Sequence, residues 1–266
     1  MNDKLNSKPE IIVLLTDFGT KDYFVGAMRG VILSINRDAK IVDITHEIPP
    51  QDIRAAGFTL RACYKNFPEK TIFVAVVDPG VGSKRRAILV ETDDFYFIAP
   101  DNGLLSFIFN EANTFRAFEL TNEKFFAANV SRTFHGRDIF APVAAHLSNG
   151  AQPNEFGAEI KNFICAEASA PRKISANEIE FEIVHIDSFG NLVTNLKAED
   201  LPEKFTLEIG GKRIAKRRNY FAEADENELF IIAGSAGFLE IAAFGVSAAK
   251  LTGAKSGLKI TLTINS

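Results

Sequence analysis

The sequence predicts an α/β protein with two domains, the first built on a largely parallel sheet and the second an antiparallel, β-barrel-like domain. Continuous apolar runs such as residues 72–77 have no polar face, which is typical of strands buried on both sides of a parallel sheet. Apolar residues at helical spacing separate these runs. Later in the chain, alternating strands and hairpin turns replace the helical spacing. We therefore expect an N-terminal α/β domain at 1–168, a linker at 169–178 and a C-terminal β domain at 179–266.

Composition and charge exclude several classes of protein. The 266 residues carry a formal net charge of −4, which argues against non-specific nucleic-acid binding because that usually requires a basic face. The N-terminal segment does not resemble a signal peptide, and no apolar run approaches transmembrane length. We expect a cytoplasmic protein with no membrane partner, and we expect Cys63 and Cys165 to be reduced and mostly buried.

The predicted central strand ends in residues that suit a ligand site. Residues 72–77 stop at a DPG turn whose acid is Asp78, and ligands of open α/β sheets bind at the carboxyl ends of the strands. The same short connection carries Arg85 and Arg86. Asp-Pro-Gly is also a common turn and paired arginines are often solvated, so a structural role stays open beside a functional one.

Two further predicted strands also end in carboxylates. Residues 11–15 are followed by Asp17, and residues 95–98 are followed by Asp101. If these strands are parallel to the central one, both acids lie on the same edge of the sheet as Asp78. The pattern predicts a shared acidic rim, which suits a ligand with hydroxyl groups or a positive charge.

The other elements of the first domain are interpreted mainly as structural. A helix from Asp22 to Ile35 and a second helix after Pro50 each carry apolar residues along one face. A shorter, more polar strand at 40–46 ends in His46. We favour a structural hydrogen bond over a ligand contact for that histidine.

A second dense cluster of polar residues begins at His135. Gly136 beside it leaves room for close approach by a ligand, and a helix that starts here adds a field that favours anions. Arg137 and Asp138 are interpreted as residues that brace the turn. His146, within the predicted helix, is interpreted as structural.

The last part of the chain has the pattern of a small antiparallel domain. Alternating apolar residues and glycine-rich turns predict hairpins at 205–215 and 229–244. Polar loops at 187–191 and 234–240 interrupt the strands. Loops of this kind are where binding groups are expected.

Seven ordered motifs are shared with a known family. They are, in order, TDFG, DITHEIP, VAVVDPGVGSKRR, APDNGLL, FHGRDIF, IDSFGN with TN, and GSAGFLEIA. Together they resemble the S-adenosyl-L-methionine (SAM) hydrolases (adenosine-forming), also called SAM hydroxide adenosyltransferases, which are related to the fluorinase and chlorinase enzymes. The resemblance runs from about Ile11 to the C-terminus.

The resemblance implies an N-terminal α/β domain, a C-terminal β-barrel domain and a homotrimer. The sites would lie between the N-terminal domain of one subunit and the C-terminal domain of the next. The implied reaction is hydrolysis of a small-molecule substrate, SAM, to adenosine and L-methionine, with no metal and no organic cofactor. By position, Asp78, Arg85 and His135 match the catalytic set. Our hypothesis is that Arg85 and His135 hold and polarise a water or hydroxide that attacks the ribose C5′, while Asp78 orients them.

The resemblance also implies a set of substrate-binding residues in both halves of the chain. Asp17 matches an acid after the first strand, and Asp78 is the central acid. Asp187 and Asn191 match a nucleoside-binding loop. Ser235, Glu240 and Ala242 match an adenine-side loop, and Tyr220 matches a stacking aromatic residue.

Three alternatives to hydrolysis remain. The first is halogenation. The resemblance implies, however, that halogenating relatives carry other residues at the three catalytic positions, and that fluorinases insert a long loop before the APxNG strand, where this chain has only Glu91 to Asp94. One local departure is Arg132, where the resemblance leads us to expect a smaller residue. The second alternative is a non-catalytic adenosine or SAM sensor, which would not require the complete catalytic set. The third is a scaffold trimer with a vestigial site.

Overall fold

The computed structural model describes residues 10–166 and 170–265. The chain divides into two compact units, Met1–Glu167 and Ala168–Ser266. A mixed sheet with a parallel portion forms the first unit, and an antiparallel sheet forms the second. The fold class predicted from the sequence is therefore confirmed.

The first unit is built on a seven-stranded sheet of order β2-β1-β3-β5-β4-β6-β7. Within this sheet, the adjacent strands β2, β1, β3 and β5 run parallel to one another, whereas β4, β6 and β7 run antiparallel to the strands beside them. The strands are β1 (Ile11–Thr16), β2 (Lys40–Thr45), β3 (Ile72–Val76), β4 (Ala87–Thr92), β5 (Tyr96–Pro100), β6 (Phe115–Glu119) and β7 (Glu159–Ile160).

Helices cover both faces of this sheet, which explains why its central strands are apolar throughout. The helices are α1 (Phe24–Ile35), α2 (Ile53–Cys63), α3 (Ser106–Glu111) and α4 (Ala141–Ser148). One face packs against α1 and α4, through residues such as Met28 and Val143. The other packs against α2, through residues such as Leu60, and includes the stacked rings of Phe73 and Phe97. A strand between two such layers needs no polar face.

The helix boundaries differ in detail from the sequence prediction. Helix α1 begins at Phe24 rather than at Asp22, and no side chain caps it. A π-helical turn, Gly136–Phe140, precedes α4, so the segment after His135 is not a regular α-helix at its start. Turns of this kind are frequent at functional sites.

The second unit is an antiparallel, nearly closed, barrel-like sheet. Strand order is β12-β11-β15-β9-β10-β14-β13, with β8 paired to β9. A bridge between Arg217 and Ile231 brings the segment after β12 to β13, at the other edge of the sheet. The elements are β8 (Arg172–Ser175), β9 (Glu178–Ile186), β10 (Leu192–Lys197), β11 (Phe205–Ile209), β12 (Lys212–Ile214), β13 (Leu229–Ala233), β14 (Phe238–Ala243), β15 (Lys259–Ile264) and a short helix α5 (Ala248–Thr252).

Two local features bear on the sequence expectations. Strand β8, Arg172–Ser175, pairs with β9 and falls inside the segment expected as a linker at 169–178; residue 169 itself lies outside the described residues. Cys165 is exposed rather than buried, since it follows the last strand of the first unit, and Cys63 is partly buried; both are free thiols. No helix in the described ranges is long and apolar enough to cross a membrane.

The hairpin between β11 and β12 provides a test of the second unit's packing. Gly210 and Gly211 both have positive φ, at 56° and 70°. A Cβ at Gly210 would lie 2.0 Å from the Thr252 carbonyl oxygen, whereas a Cβ at Gly211 would meet nothing within 4 Å. We expect Gly210→Ala to lower the free energy of unfolding by about 1–3 kcal/mol more than Gly211→Ala, because only the first overpacks.

Denaturant titration of the two variants measures this difference, and Gly211→Ala controls for the backbone strain that both share. Equal losses of stability would contradict the packing of Gly210 against α5.

Candidate active site

The residues predicted to form the catalytic set lie together in the first unit. Arg85 donates from Nε to both Asp78 carboxylate oxygens, at 2.9 Å each, and its Nη2 also pairs with Asp78. The same Nη2 lies 2.9 Å from His135 Nδ1. Arg85 therefore bridges a carboxylate that follows β3 and an imidazole that precedes the π-helical turn.

This bridge is largely removed from solvent. The side chains of Arg85 and Asp78 are 10% and 5% exposed, and the guanidinium lies 5.2 Å from the centroid of the Phe140 ring. Charge-assisted bonds from an arginine fork are strong and geometrically specific. The guanidinium is thus held in one orientation by two bonded partners and one ring.

The contact with Arg85 fixes the tautomer of His135. Guanidinium nitrogens donate and never accept, so Nδ1 must be the unprotonated nitrogen and the proton lies on Nε2. Burial, and then the Arg85 charge, lower the pKa of His135, while Asp78, Asp138 and a hydrogen bond with the Ser131 backbone act in the opposite sense. The imidazole is therefore neutral near pH 7, with Nε2–H as a donor.

Glycine at position 82 allows the turn that carries Arg85 to approach the segment before His135. Gly82 has φ of 76°, and a Cβ there would lie 2.2 Å from the Arg132 carbonyl oxygen. Arg132, the departure noted from the sequence, therefore contributes its backbone to this contact. A side chain at Gly82 would force apart the two segments that the Arg85–His135 bond joins.

The segment around His135 is braced as the sequence indicated. Buried Asp138 accepts a hydrogen bond from the Ser131 amide at 2.8 Å and pairs with Arg137 at 2.6 Å. Gly136, in contrast, does not leave space for a ligand. A Cβ there would lie 3.2 Å from atoms of Met28, Phe134 and Phe18, so its small size serves packing within the protein.

The predicted acidic rim is only partly present. Asp17, Asp78 and Asp101 do follow the adjacent parallel strands β1, β3 and β5. However, Asp101 is buried, pairs with Arg86 at 2.6 Å and accepts from the Ile164 amide at 2.7 Å. Its carboxylate is a structural brace, because its negative charge is already compensated. Asp17 accepts from the Gln51 amide at 2.8 Å and remains partly exposed.

The second unit contains a cleft of about 910 Å³ that is lined by four of the predicted substrate-binding residues, namely Asp187, Asn191, Ser235 and Glu240. Asp187 accepts from the Asn191 amide and from its Nδ2, both at 2.8 Å. Burial, and then the nearby Asp187 charge, raise the pKa of Glu240. The cleft thus combines a carboxylate and an amide that are bonded to each other with a second carboxyl group, that of Glu240, whose pKa is raised.

The two remaining predicted residues lie elsewhere in this unit. Ala242 is fully buried, and Tyr220 is exposed but outside the residues that line the cleft. Aromatic residues that the sequence analysis did not single out line it instead, namely Phe189, Phe221 and Phe244. Phe189 is 80% exposed. The sequence could have indicated it as a binding residue, because it is an aromatic residue inside a polar loop that contains glycine.

Within residues 10–166 and 170–265, no group of three or more His, Cys, Asp or Glu side chains is arranged to hold a metal ion. His46 is buried and lies 2.8 Å from Thr16 Oγ1, so the structural role favoured from the sequence agrees with its position. His146 packs edge-on against Phe125.

Comparison with known proteins identifies a family. Residues 12–157 match the SAM hydroxide adenosyltransferase N-terminal domain, and residues 181–261 match the corresponding C-terminal domain. A protein named (R)-S-adenosyl-L-methionine hydrolase from Methanocaldococcus jannaschii is 36% identical over 260 residues, which cover 91% of each chain. A protein named fluorinase from Actinoplanes sp. is 29% identical over 222 residues, 74% of each chain.

A similar fold is also found among solved structures. The crystal structure of an uncharacterized conserved protein from Thermotoga maritima superposes with a TM-score of 0.89 and 37% sequence identity. The match covers 95% of this chain and 99% of that one.

The tautomer and charge of His135 can be tested by titration. Arg85→Gln removes a neighbouring positive charge, so we expect the pKa of His135 to move up towards its usual range. Arg86→Gln is the matched control, because Arg86 pairs with Asp101 instead. Histidine NMR signals followed against pH report the pKa directly. An unchanged His135 pKa in Arg85→Gln, or the same shift in Arg86→Gln, would contradict the bridge.

Proposed function

This chain belongs to the SAM hydroxide adenosyltransferase family, and we propose that it hydrolyses (R)-S-adenosyl-L-methionine to adenosine and L-methionine. The relative from Methanocaldococcus jannaschii bears the name of that activity. The structural observation that carries the proposal is the bridge from Arg85 to Asp78 and His135, in which the guanidinium is held next to a neutral imidazole.

The chemistry asks little of the protein beyond delivery of an oxygen nucleophile. The sulfonium is a good leaving group, so the enzyme need not protonate it. A hydroxide taken from solvent attacks the ribose C5′ as the C5′–S bond breaks, and the electron pair of that bond stays on sulfur as the neutral thioether of methionine, so no residue has to accept a proton. In-line placement of the two reacting atoms supplies several kcal/mol, about 7–11 in well-oriented cases.

The protonation state of the bridge favours hydroxide over water as the attacking species. His135 Nδ1 faces the Arg85 guanidinium, and its proton lies on Nε2, so this imidazole has no lone pair available to take a proton from water. Arg85 and the Nε2–H group instead donate to a bound oxygen anion and stabilise it. Asp78 keeps the guanidinium oriented and lies next to the proposed ribose position.

The proposed substrate contacts draw on both units of the chain. Asp17 and Asp78 contact the ribose side, and the cleft lined by Asp187, Asn191 and Glu240 takes the rest of the nucleoside. Ser235, Ala242 and Tyr220 complete the set inferred from the family resemblance. We propose that the sites form between subunits of a homotrimer in the cytoplasm, and that no metal or organic cofactor takes part.

Halogenation is the second candidate, because fluorinases are also relatives of this chain. The structure supports hydrolysis over it at one place. Strands β4 and β5 are joined by a tight connection, residues 93–95, in which the Thr92 amide donates to the Phe95 carbonyl at 2.9 Å. This is the position at which the resemblance leads us to expect the long fluorinase insertion.

Product analysis tests the proposal. We incubate the purified chain with each sulfur epimer of SAM, in chloride-containing and in chloride-free buffer. The expected products are adenosine and methionine from the (R) epimer in both buffers, identified by chromatography and mass. His135→Ala should lower kcat by at least about a hundredfold, because one donor to the nucleophile is lost, while the substrate Kd changes less than tenfold.

His146→Gln serves as the control, since that histidine packs in α4 away from the bridge. A 5′-chlorinated nucleoside in the chloride buffer would move the chain to the halogenases. Bound but unconverted substrate would favour a sensor, and no binding at all would favour a scaffold.

A further inference from the structure

The turn that carries Asp17 is held by hydrogen bonds to two buried residues, Thr16 and His46. Thr16, the last residue of β1, is fully buried, and its hydroxyl accepts a hydrogen bond from the Phe18 amide at 3.2 Å. The same hydroxyl lies 2.8 Å from Nδ1 of His46, which is 5% exposed. The His46 carbonyl accepts from the Gly19 amide at 2.7 Å. The backbone on the C-terminal side of Asp17 is thus bonded at two successive amides.

The other side of the His46 ring continues this network. Nε2 of His46 lies 3.1 Å from Asp43 Oδ1 in β2, although neither atom makes a hydrogen bond with any described residue. The second oxygen of Asp43 pairs with Arg29 of α1. A chain of polar contacts therefore runs from α1 through β2 to the end of β1.

The Thr16 hydroxyl can take part in both contacts at once. Its oxygen accepts from the Phe18 amide, and its own proton remains available to His46 Nδ1 when the ring proton lies on Nε2. Burial and the Arg29 charge lower the pKa of His46, with Glu47 acting in the opposite sense, which agrees with a neutral ring.

Neither anchoring side chain can act on a substrate directly, because both are buried. Asp17, between Thr16 and Phe18, is in contrast partly exposed, and one of its oxygens is fixed by the Gln51 amide. Gly19 closes the turn with φ of 67°. The backbone on both sides of Asp17 is therefore held, while its carboxylate keeps access to solvent.

The anchored turn also touches the segment that carries His135. The Phe18 ring packs edge-on against Phe134 at 5.8 Å and is tilted against Phe24 at the same distance. A displacement of the turn would therefore disturb the residue that precedes His135. The hydrogen bonds made by Thr16 and His46 and the aromatic contacts made by Phe18 restrict the same four residues, 16–19.

We propose that Thr16 and His46 are positioning residues that hold Asp17 in the orientation needed to bind the substrate. The inference rests on the proposed function, since that function assigns a substrate contact to Asp17. An uncompensated amide at Phe18 and a released turn would weaken substrate binding more than they would slow the chemical step.

A double-mutant cycle tests this proposal. Thr16→Val removes the hydroxyl with little change of shape, and we expect it to raise the KM for SAM about tenfold, the loss typical of one buried hydrogen-bonding group, with kcat changed by less than about threefold. Thr16→Ser should restore the KM. In an Asp17→Asn background, Thr16→Val should raise the KM less than about twofold, because its effect passes through Asp17.

Thr71→Val is the matched control for loss of a buried hydroxyl. Thr71 is buried just before β3, at the amino-terminal ends of the same parallel strands, and its hydroxyl donates to the Pro68 carbonyl at 2.7 Å. Two outcomes would overturn the proposal: Thr16→Val behaving like Thr71→Val, or Thr16→Val having the same effect with and without Asp17.

A readout without turnover separates this proposal from the proposed function. If the wild-type chain does not hydrolyse SAM, the proposed function fails, and hydrogen exchange of the peptide that spans residues 16–19 then decides the role of Thr16. Faster exchange in Thr16→Val than in Thr71→Val supports the anchoring of the turn. Equal exchange in the two variants overturns it.

Discussion

The Arg85 guanidinium is the group on which the candidate site depends. It connects the end of β3, through Asp78, to the start of the π-helical turn, through His135. Because this ion pair is almost fully buried, removal of the arginine would leave a buried carboxylate uncompensated, which typically costs about 3–5 kcal/mol. The group proposed to hold the nucleophile is therefore also one that stabilises the fold, and variants at this position must be checked for both effects.

The parallel part of the sheet explains how these residues come together. Strands β1 and β3 are neighbours with matched register, Leu15 opposite Ala75 and Thr16 opposite Val76, so the residues that follow them emerge on the same edge. Helices cover both faces, and the carboxyl ends of the parallel strands form the edge at which ligands of such sheets bind. The turn after β1 is fixed by hydrogen bonds with His46 and Gln51, which follow β2, and the turn after β3 is fixed by Arg85.

Much of the fold could be predicted from the sequence, because buried parallel strands leave continuous apolar runs and hairpins leave glycine pairs. The ion-pair partners of individual charged residues could not be predicted in this way. Arg85 and Arg86 are adjacent and identical in type, yet one contacts Asp78 and His135 while the other braces Asp101. Local patterns do not carry such long-range choices, so Asp101 was wrongly assigned to an acidic rim. The candidate substrate-binding residues of the second unit were inferred from family resemblance, and spacing alone would not have indicated Glu240.

The proposed reaction is attack of a water-derived hydroxide on the ribose C5′ of the sulfonium substrate. The most direct measurement is a single turnover in water labelled with the heavy oxygen isotope, followed by mass analysis of both products. One labelled oxygen in the 5′-hydroxyl of adenosine, and none in methionine, is the predicted result. Adenosine without label, or label in methionine, would show that another bond breaks and would contradict attack at C5′.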